Sequence, residues 1–81
     1  MDKQKPIEHV PVRSSNIISV GYDKDSCILE VKFNGGGLYR YHEVPKNIYE
    51  GINAVDSVGR YFFQNVRDKF RTERIKWYYK I

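Results

Sequence analysis

Histidines, serines and a single cysteine are the side chains that could support catalysis or metal binding in this 81-residue chain. His9 lies in a polar segment near the start and His42 lies in an alternating, strand-like segment, so the two lack the spacing of paired metal ligands. His42 and the adjacent Glu43 would point to opposite faces of a strand. Cys27 has no second cysteine with which to form a disulfide or a cysteine-based zinc site. We therefore predict no catalytic residues, no metal site and no cofactor.

Basic residues interleaved with aromatic ones favour a binding function instead. Residues 60–81 contain seven basic and two acidic residues, a net charge of +5, whereas residues 1–59 have a net charge of −1. Lys and Arg neutralise nucleic-acid phosphates, and aromatic rings stack on unpaired bases. The alternative is a solvated basic surface that aids solubility. The predicted contacts with RNA or single-stranded nucleic acid are Arg40, Arg60, Arg67, Lys69, Arg71, Arg74 and Lys76, with Trp77 and Tyr78 stacking on bases.

Two other functions remain open. A protein-interaction module, for example a phage protein acting on a host factor, would add its C-terminal strand to the sheet edge of a partner. An enzyme or small-nucleotide binder would hold a phosphate at the glycine run of residues 35–37 or at the helix start marked by Ser57 and Gly59. No Lys-Ser/Thr pair follows the glycine run, so we interpret it as a hairpin turn.

These candidate residues are positioned by an α+β fold that begins with an antiparallel meander. Apolar and polar residues alternate over residues 16–22, 27–33 and 38–44, which predicts three strands. In the first strand, Ile18, Val20 and Tyr22 share one face. Val10 and Val12 flank Pro11, which predicts an extended entry at the edge of the sheet, because proline cannot donate a ladder hydrogen bond.

Two helices and a further strand are predicted to follow the meander. The first helix begins at Pro45, runs to about Ala54 and buries Ile48 and Ile52. Ser57, or Asp56 before it, caps the second helix. Its buried stripe is Val58, Phe62, Val66 and Phe70. From Ile75 to Ile81 the apolar residues alternate again, which predicts a fourth strand on the sheet edge.

The helices are expected to cover one face of the sheet, which contains Leu29, Val31 and Phe33. Tyr39 and Tyr41 lie either in this core or on an open face that stacks on bases, and we favour the core. In that arrangement the open face of the sheet is basic and contains Lys32, Arg40 and His42.

The length allows one domain. We divide the chain into a flexible leader at residues 1–9, a domain at residues 10–70 and a basic aromatic extension at residues 71–81. The apolar runs are shorter than the roughly 20 residues needed to span a bilayer. The unpaired cysteine fits a reducing compartment, so we expect a soluble, cytoplasmic protein with no membrane partner.

Several short motifs, in order, resemble the KTSC domain family over roughly residues 12–70. This family occurs at the C-terminus of some lysyl-tRNA synthetases and as stand-alone bacterial or phage proteins, and that association implies RNA binding. The sequence departs from the family pattern at Val55, where a small residue is usual, and at Phe63, where a polar Asn is usual. The motifs are Ser14-Ser15-Asn16-Ile17, Gly21-Tyr22-Asp23, Leu29-Glu30-Val31-Lys32-Phe33, Gly37-Leu38-Tyr39-Arg40-Tyr41, Val44-Pro45 with Tyr49, Ser57-x-Gly59-x-Tyr61-Phe62, and Val66-Arg67 with Phe70.

Overall fold

A computed structural model describes residues 6–75 as a five-stranded antiparallel sheet with two helices on one face. This confirms the predicted α+β class, the meander, the two helices and the presence of a strand after the helices. The predicted contacts Lys76, Trp77 and Tyr78 lie outside the described residues. The elements are β1 (His9–Pro11), β2 (Ile17–Asp23), β3 (Ile28–Phe33), β4 (Leu38–Tyr41), α1 (Lys46–Ile52), α2 (Val58–Asn65) and β5 (Thr72–Arg74).

Strand order in the sheet follows the chain, with β1 at one edge and β5 at the other. β1 contains Pro11, as the edge prediction requires. The assignment of His9 to a flexible leader is wrong, because His9 pairs with Gly21 in the β1–β2 ladder. β5 lies just before the segment from Ile75 to Ile81 for which the alternation predicted a strand, and residues 76–81 of that segment are outside the described residues.

A register shift between Ile17 and Ser19 changes which side chains at the start of β2 face the core, compared with the prediction. Ile17 is buried, whereas Ile18 is 44% exposed. A bulge of this kind changes which side chains point into the core. The prediction that Ile18 shares the core face with Val20 is therefore wrong.

The core lies between the inner face of the sheet and the two helices. Val20, Leu29 and Val31 from the sheet pack with Ile52 from α1 and Phe62 from α2. Tyr41 is buried against this cluster, which confirms the core interpretation for that residue. Tyr39 is half-buried and packs at its margin.

The second helix is shorter than its apolar stripe suggested. The Ser57 side chain accepts a hydrogen bond from the backbone N–H of Arg60, as predicted for the cap. The helix ends at Asn65, and the backbone N–H of Arg67 returns to the carbonyl of Phe62. Asp68 follows in the left-handed region, with φ 62°. This turn redirects the chain so that β5 can pair with β4.

Neither helix within residues 6–75 is long and apolar enough to cross a membrane. The same residues contain no cluster of three or more His, Cys, Asp or Glu side chains that could hold a metal ion.

Candidate nucleic-acid interface

An open groove of about 660 Å³ runs between α2 and the inner face of the sheet at β4 and β5. Its volume is within the range of about 300–1,000 Å³ that is usual for ligand-binding clefts. Its lining residues are Asn16, Ile17, Phe33, Gly35, Gly37, Tyr39, Tyr41, Gly59, Phe62, Phe63, Arg67, Asp68, Thr72 and Arg74.

Aromatic rings in edge-to-face contact form much of the groove lining. Phe33 contacts both Tyr39 and Phe62, with ring centroids 5.5 Å and 5.4 Å apart. Tyr41 contacts Phe62 at 5.4 Å. Edge-to-face ring pairs at these separations stabilise the fold by more than the burial of their apolar area alone would. The rings therefore hold one another in place and give the groove a rigid, apolar floor.

Two arginines on opposite sides of the groove each lie over an aromatic ring. The guanidinium carbon of Arg67 is 4.8 Å from the ring centroid of Phe63, four residues earlier and within α2. The guanidinium carbon of Arg74 is 5.8 Å from the ring centroid of Tyr39, its cross-strand partner. Both distances are in the range of cation–π attraction. The groove thus combines positive charge with flat aromatic surface.

Three more of the predicted basic contacts within residues 6–75 are outside the lining of the groove. Arg60, Lys69 and Arg71 are exposed, but they do not line it. Among the described residues, no carboxylate lies within ion-pair distance of these three side chains or of Arg74. Arg67 has a loose contact with Asp68, with 3.7 Å between Nε and Oδ2.

Arg40 is on the opposite, outer face of the sheet and is bound to a buried carboxylate. Its Nε donates to Oε2 of Glu30 at 2.7 Å, and the Glu30 residue is 5% exposed. Nε2 of His42 lies 3.0 Å from Oε1 of Glu73. The prediction of a basic open face is therefore wrong, because Glu30 and Glu73 pair with two of its three cationic or basic groups. Lys32 alone of the three is exposed without such a partner in residues 6–75.

Glu30 is the centre of a hydrogen-bonded cluster that sequence reasoning missed. Nε2 of His9 lies 2.7 Å from Oε1 of Glu30, and Nδ1 of His9 lies 2.8 Å from Oγ of Ser19. Burial by itself would raise the pKa of the Glu30 carboxyl, but the hydrogen bonds from His9 and Arg40 outweigh burial and lower that pKa below its ordinary value. Glu30 therefore remains ionised. No alternation pattern indicates this cluster, because it depends on β1 pairing with β2.

Tyr41 contributes a hydroxyl group to the groove. Burial, followed by the nearby Tyr39, raises the pKa of Tyr41 to about 12. The hydroxyl is therefore protonated at neutral pH. Sequence reasoning also missed Phe63 and Asp68 as groove residues. The four-residue spacing of Phe63 and Arg67 was the signal that could have revealed the first of them.

Comparison with known proteins gives a consistent family assignment. The model of the KTSC domain matches residues 13–70. The crystal structure of a KTSC domain protein from Yersinia pestis superposes with a TM-score of 0.84 at 35% identity, covering 88% of this chain and all of that one. The chain belongs to the KTSC domain family, as the motifs in the sequence implied.

Relatives include both small proteins and parts of larger ones. An uncharacterized protein from Stutzerimonas stutzeri is 43% identical over 58 residues, which is 72% of this chain and 82% of that protein. A protein from Tsukamurella paurometabola is 41% identical over 61 residues, 75% of this chain and 91% of its own length. A lysine–tRNA ligase from Nostoc punctiforme is 28% identical over 61 residues, which cover 75% of this chain but 11% of the ligase.

Proposed function

We propose that this domain is a non-enzymatic module that binds RNA or single-stranded nucleic acid in the groove between α2 and the β4–β5 edge of the sheet. The observation that carries the proposal is the pair of arginines, Arg67 and Arg74, that stand on two sides of one aromatic groove. Phosphates need cations, and unpaired bases need flat rings on which to stack. This groove offers both within one cleft.

The aromatic rings and the arginines of the groove are placed so that the bases and the phosphates of one single strand could contact both. Phe63 is 58% exposed, so its ring and the guanidinium of Arg67 above it are accessible to a base. Bases stack on aromatic rings and on guanidinium planes alike. Arg74 is on the β5 side, where it is suited to contact the neighbouring phosphate. The exposed Lys69 and Arg71 extend the positive potential along the chain that joins α2 to β5.

The relatives support the same proposal. Lysine–tRNA ligases act on an RNA, and a segment of such an enzyme resembles this domain. A module that occurs within a tRNA ligase and also as most of a small protein is consistent with a portable RNA-binding unit. Arg40 is left out of the proposed interface, because Glu30 already binds it on the outer face.

Fluorescence anisotropy with a labelled single-stranded RNA tests this proposal. We expect the affinity to fall steeply between about 50 mM and about 200 mM salt, because binding releases counterions from the phosphates. Arg67→Glu and Arg74→Glu should each weaken binding and reduce the slope of log affinity against log salt by at least about one.

Lys32→Glu is the matched control. It makes the same change of charge on an exposed side chain of the outer sheet face. It should leave most of the affinity intact. Equal loss in all three variants would mean that only the overall charge matters, and absent or salt-independent binding to RNA and single-stranded DNA would reject the proposal.

The protein-interaction alternative is favoured by one observation at β5. Hydrogen bonds to β4 use the carbonyl of Arg71 and the N–H of Ile75, so the alternating backbone groups of Thr72 and Arg74 point away from β4. Within residues 6–75, no strand pairs with that side of β5. A partner strand could add there. A nuclease-resistant complex that is lost on Thr72→Pro, which removes one outward N–H, would favour this function over nucleic-acid binding.

A further inference from the structure

One acidic residue lines the otherwise cationic groove. Asp68 follows Arg67 at the end of the groove where α2 has finished, and its side chain is 87% exposed. A carboxylate at this position opposes phosphate binding through like-charge repulsion. Its presence is therefore not explained by phosphate contacts.

The backbone at Asp68 does not by itself require a carboxylate. Its φ of 62° is in the left-handed region, where Asn is as well accommodated as Asp and Gly better. An amide would serve the turn equally and would not repel phosphates. The turn therefore does not require the negative charge, and the loose contact between Oδ2 of Asp68 and Nε of Arg67, 3.7 Å apart on two exposed side chains, adds little stability.

The geometry points to Asp68 as a base-reading residue that prefers guanine in a single strand; this inference rests on the proposed function and deepens it. A carboxylate accepts hydrogen bonds but donates none. The Watson–Crick edge of guanine presents two adjacent N–H donors, N1 and N2, which fit the two oxygens of a carboxylate. Uracil presents one such donor, and adenine and cytosine present an amino group beside an acceptor.

Neighbouring groove residues supply the remaining contacts that guanine needs. Its O6 atom is an acceptor, and the Tyr41 hydroxyl, which is protonated at neutral pH, is a donor in the same groove. The stacked pair of Arg67 and Phe63 is the flat surface on which the base would lie. Acceptor, donor and platform are thus all found at the Asp68 end of the groove.

Anisotropy measurements with four short oligonucleotides test the inference. They are a labelled uridine oligonucleotide and the same oligonucleotide with one guanine, one inosine or one adenine at its centre. The wild-type protein should bind the guanine form about fivefold more tightly than the uridine form, near the lower limit for one bidentate base contact because Asp68 is exposed. Inosine, which lacks the N2 amino group, should lose much of that advantage, and adenine should lose all of it.

Asp68→Asn separates base reading from simple electrostatics. The variant keeps the left-handed turn and removes one negative charge. It should bind the uridine oligonucleotide as tightly as the wild type or more tightly, while the guanine preference disappears. Glu50→Gln, which removes a carboxylate on α1 outside the groove, should preserve that preference.

The outcomes distinguish this inference from the proposed function. If the wild-type protein binds all four oligonucleotides equally, or if Asp68→Asn retains the guanine preference, the inference is overturned and nucleic-acid binding stands. If the wild-type protein binds none of them, both are overturned. Thermal unfolding of Asp68→Asn checks that any change in binding does not come from loss of the fold.

Discussion

Nε2 of His9 lies 2.7 Å from Oε1 of Glu30, although the two residues are 21 positions apart in the sequence. β2 lies between their strands, and its Gly21 faces His9 on one side and Glu30 on the other. With no side chain at Gly21, the imidazole can reach across β2 to the carboxylate. Arg40 holds the second carboxylate oxygen from β4. One buried glutamate thus joins the edge strand β1 to the centre of the sheet.

Glu30→Gln should destabilise the domain by about 1–3 kcal/mol, because the side chain is nearly buried and the neutral amide leaves the guanidinium of Arg40 without its charge partner. Urea unfolding followed by circular dichroism at neutral pH measures this difference. Glu50→Gln is the control, since Glu50 is in an exposed pair with Lys46 and should change the free energy of unfolding by no more than about 0.5 kcal/mol. Equal effects of the two substitutions would contradict a structural role for the cluster.

Acid should remove the stabilising effect of the Glu30 carboxylate. Its pKa is lower in the folded protein than in the unfolded chain, where it is about 4.3. Stabilisation is therefore present above the unfolded pKa and is lost as the pH falls through the folded pKa. The difference in unfolding free energy between the wild-type protein and Glu30→Gln should shrink as the pH is lowered from about 6 to about 3. A constant difference would show that ionisation of Glu30 does not matter.

Gly21→Ala should loosen β1 from the sheet. An added Cβ would collide with the carbonyl oxygen of Glu8 and would lie 2.9 Å from Cδ2 of His9. The expected cost is about 1–3 kcal/mol, as for other overpacked sites. Loss of hydrogen-exchange protection at the β1–β2 ladder would locate the effect. Gly35→Ala, where the added Cβ meets nothing within 4 Å, should leave the unfolding transition nearly unchanged.

Local patterns predicted the elements of this fold well. Alternation of apolar and polar residues indicated the three strands of the meander. The four-residue spacing of Val58, Phe62 and Val66 indicated α2, and all three side chains are buried in the structure. The Ser57 cap was also predictable, because a serine just before a helix accepts a hydrogen bond from a backbone N–H in the first turn. These features depend on neighbours within one turn or one strand.

Features that depend on distant partners were not predictable in the same way. Glu30 is on the outer face of the sheet, and its burial depends on His9 and Arg40 from two other strands. The register shift between Ile17 and Ser19 was also not predictable, because a prediction from alternating residues assumes a regular period of two. The groove was only partly predictable, because its two arginines were identified by charge but their shared cleft depends on how the chain turns after α2.

Gly59→Ala should make the domain more stable while weakening its binding of RNA. Gly59 is in the first turn of α2, and an added Cβ would lie 3.6 Å from Oγ of Ser14 and 3.9 Å from Nδ2 of Asn16, which are ordinary contacts. Alanine in place of a helical glycine reduces the entropy lost on folding, so the domain should gain up to about 0.5–1 kcal/mol. The methyl group would narrow the groove that Gly59 lines, so binding of single-stranded RNA should weaken.

Gly51→Ala is the contrasting substitution for that experiment. Its added Cβ would collide with the hydroxyl group of Tyr61, which hydrogen-bonds the carbonyl of Ile48, so the packing of α1 on α2 should be disturbed and the melting temperature should fall. Melting curves and anisotropy titrations of both variants give the comparison. A Gly59→Ala protein that is more stable and binds RNA less tightly would mean that glycine leaves room for a ligand. If it bound RNA as well as the wild type does, the ligand would not approach this end of the groove, because the contacts at Gly59 allow the methyl group without any change in the fold.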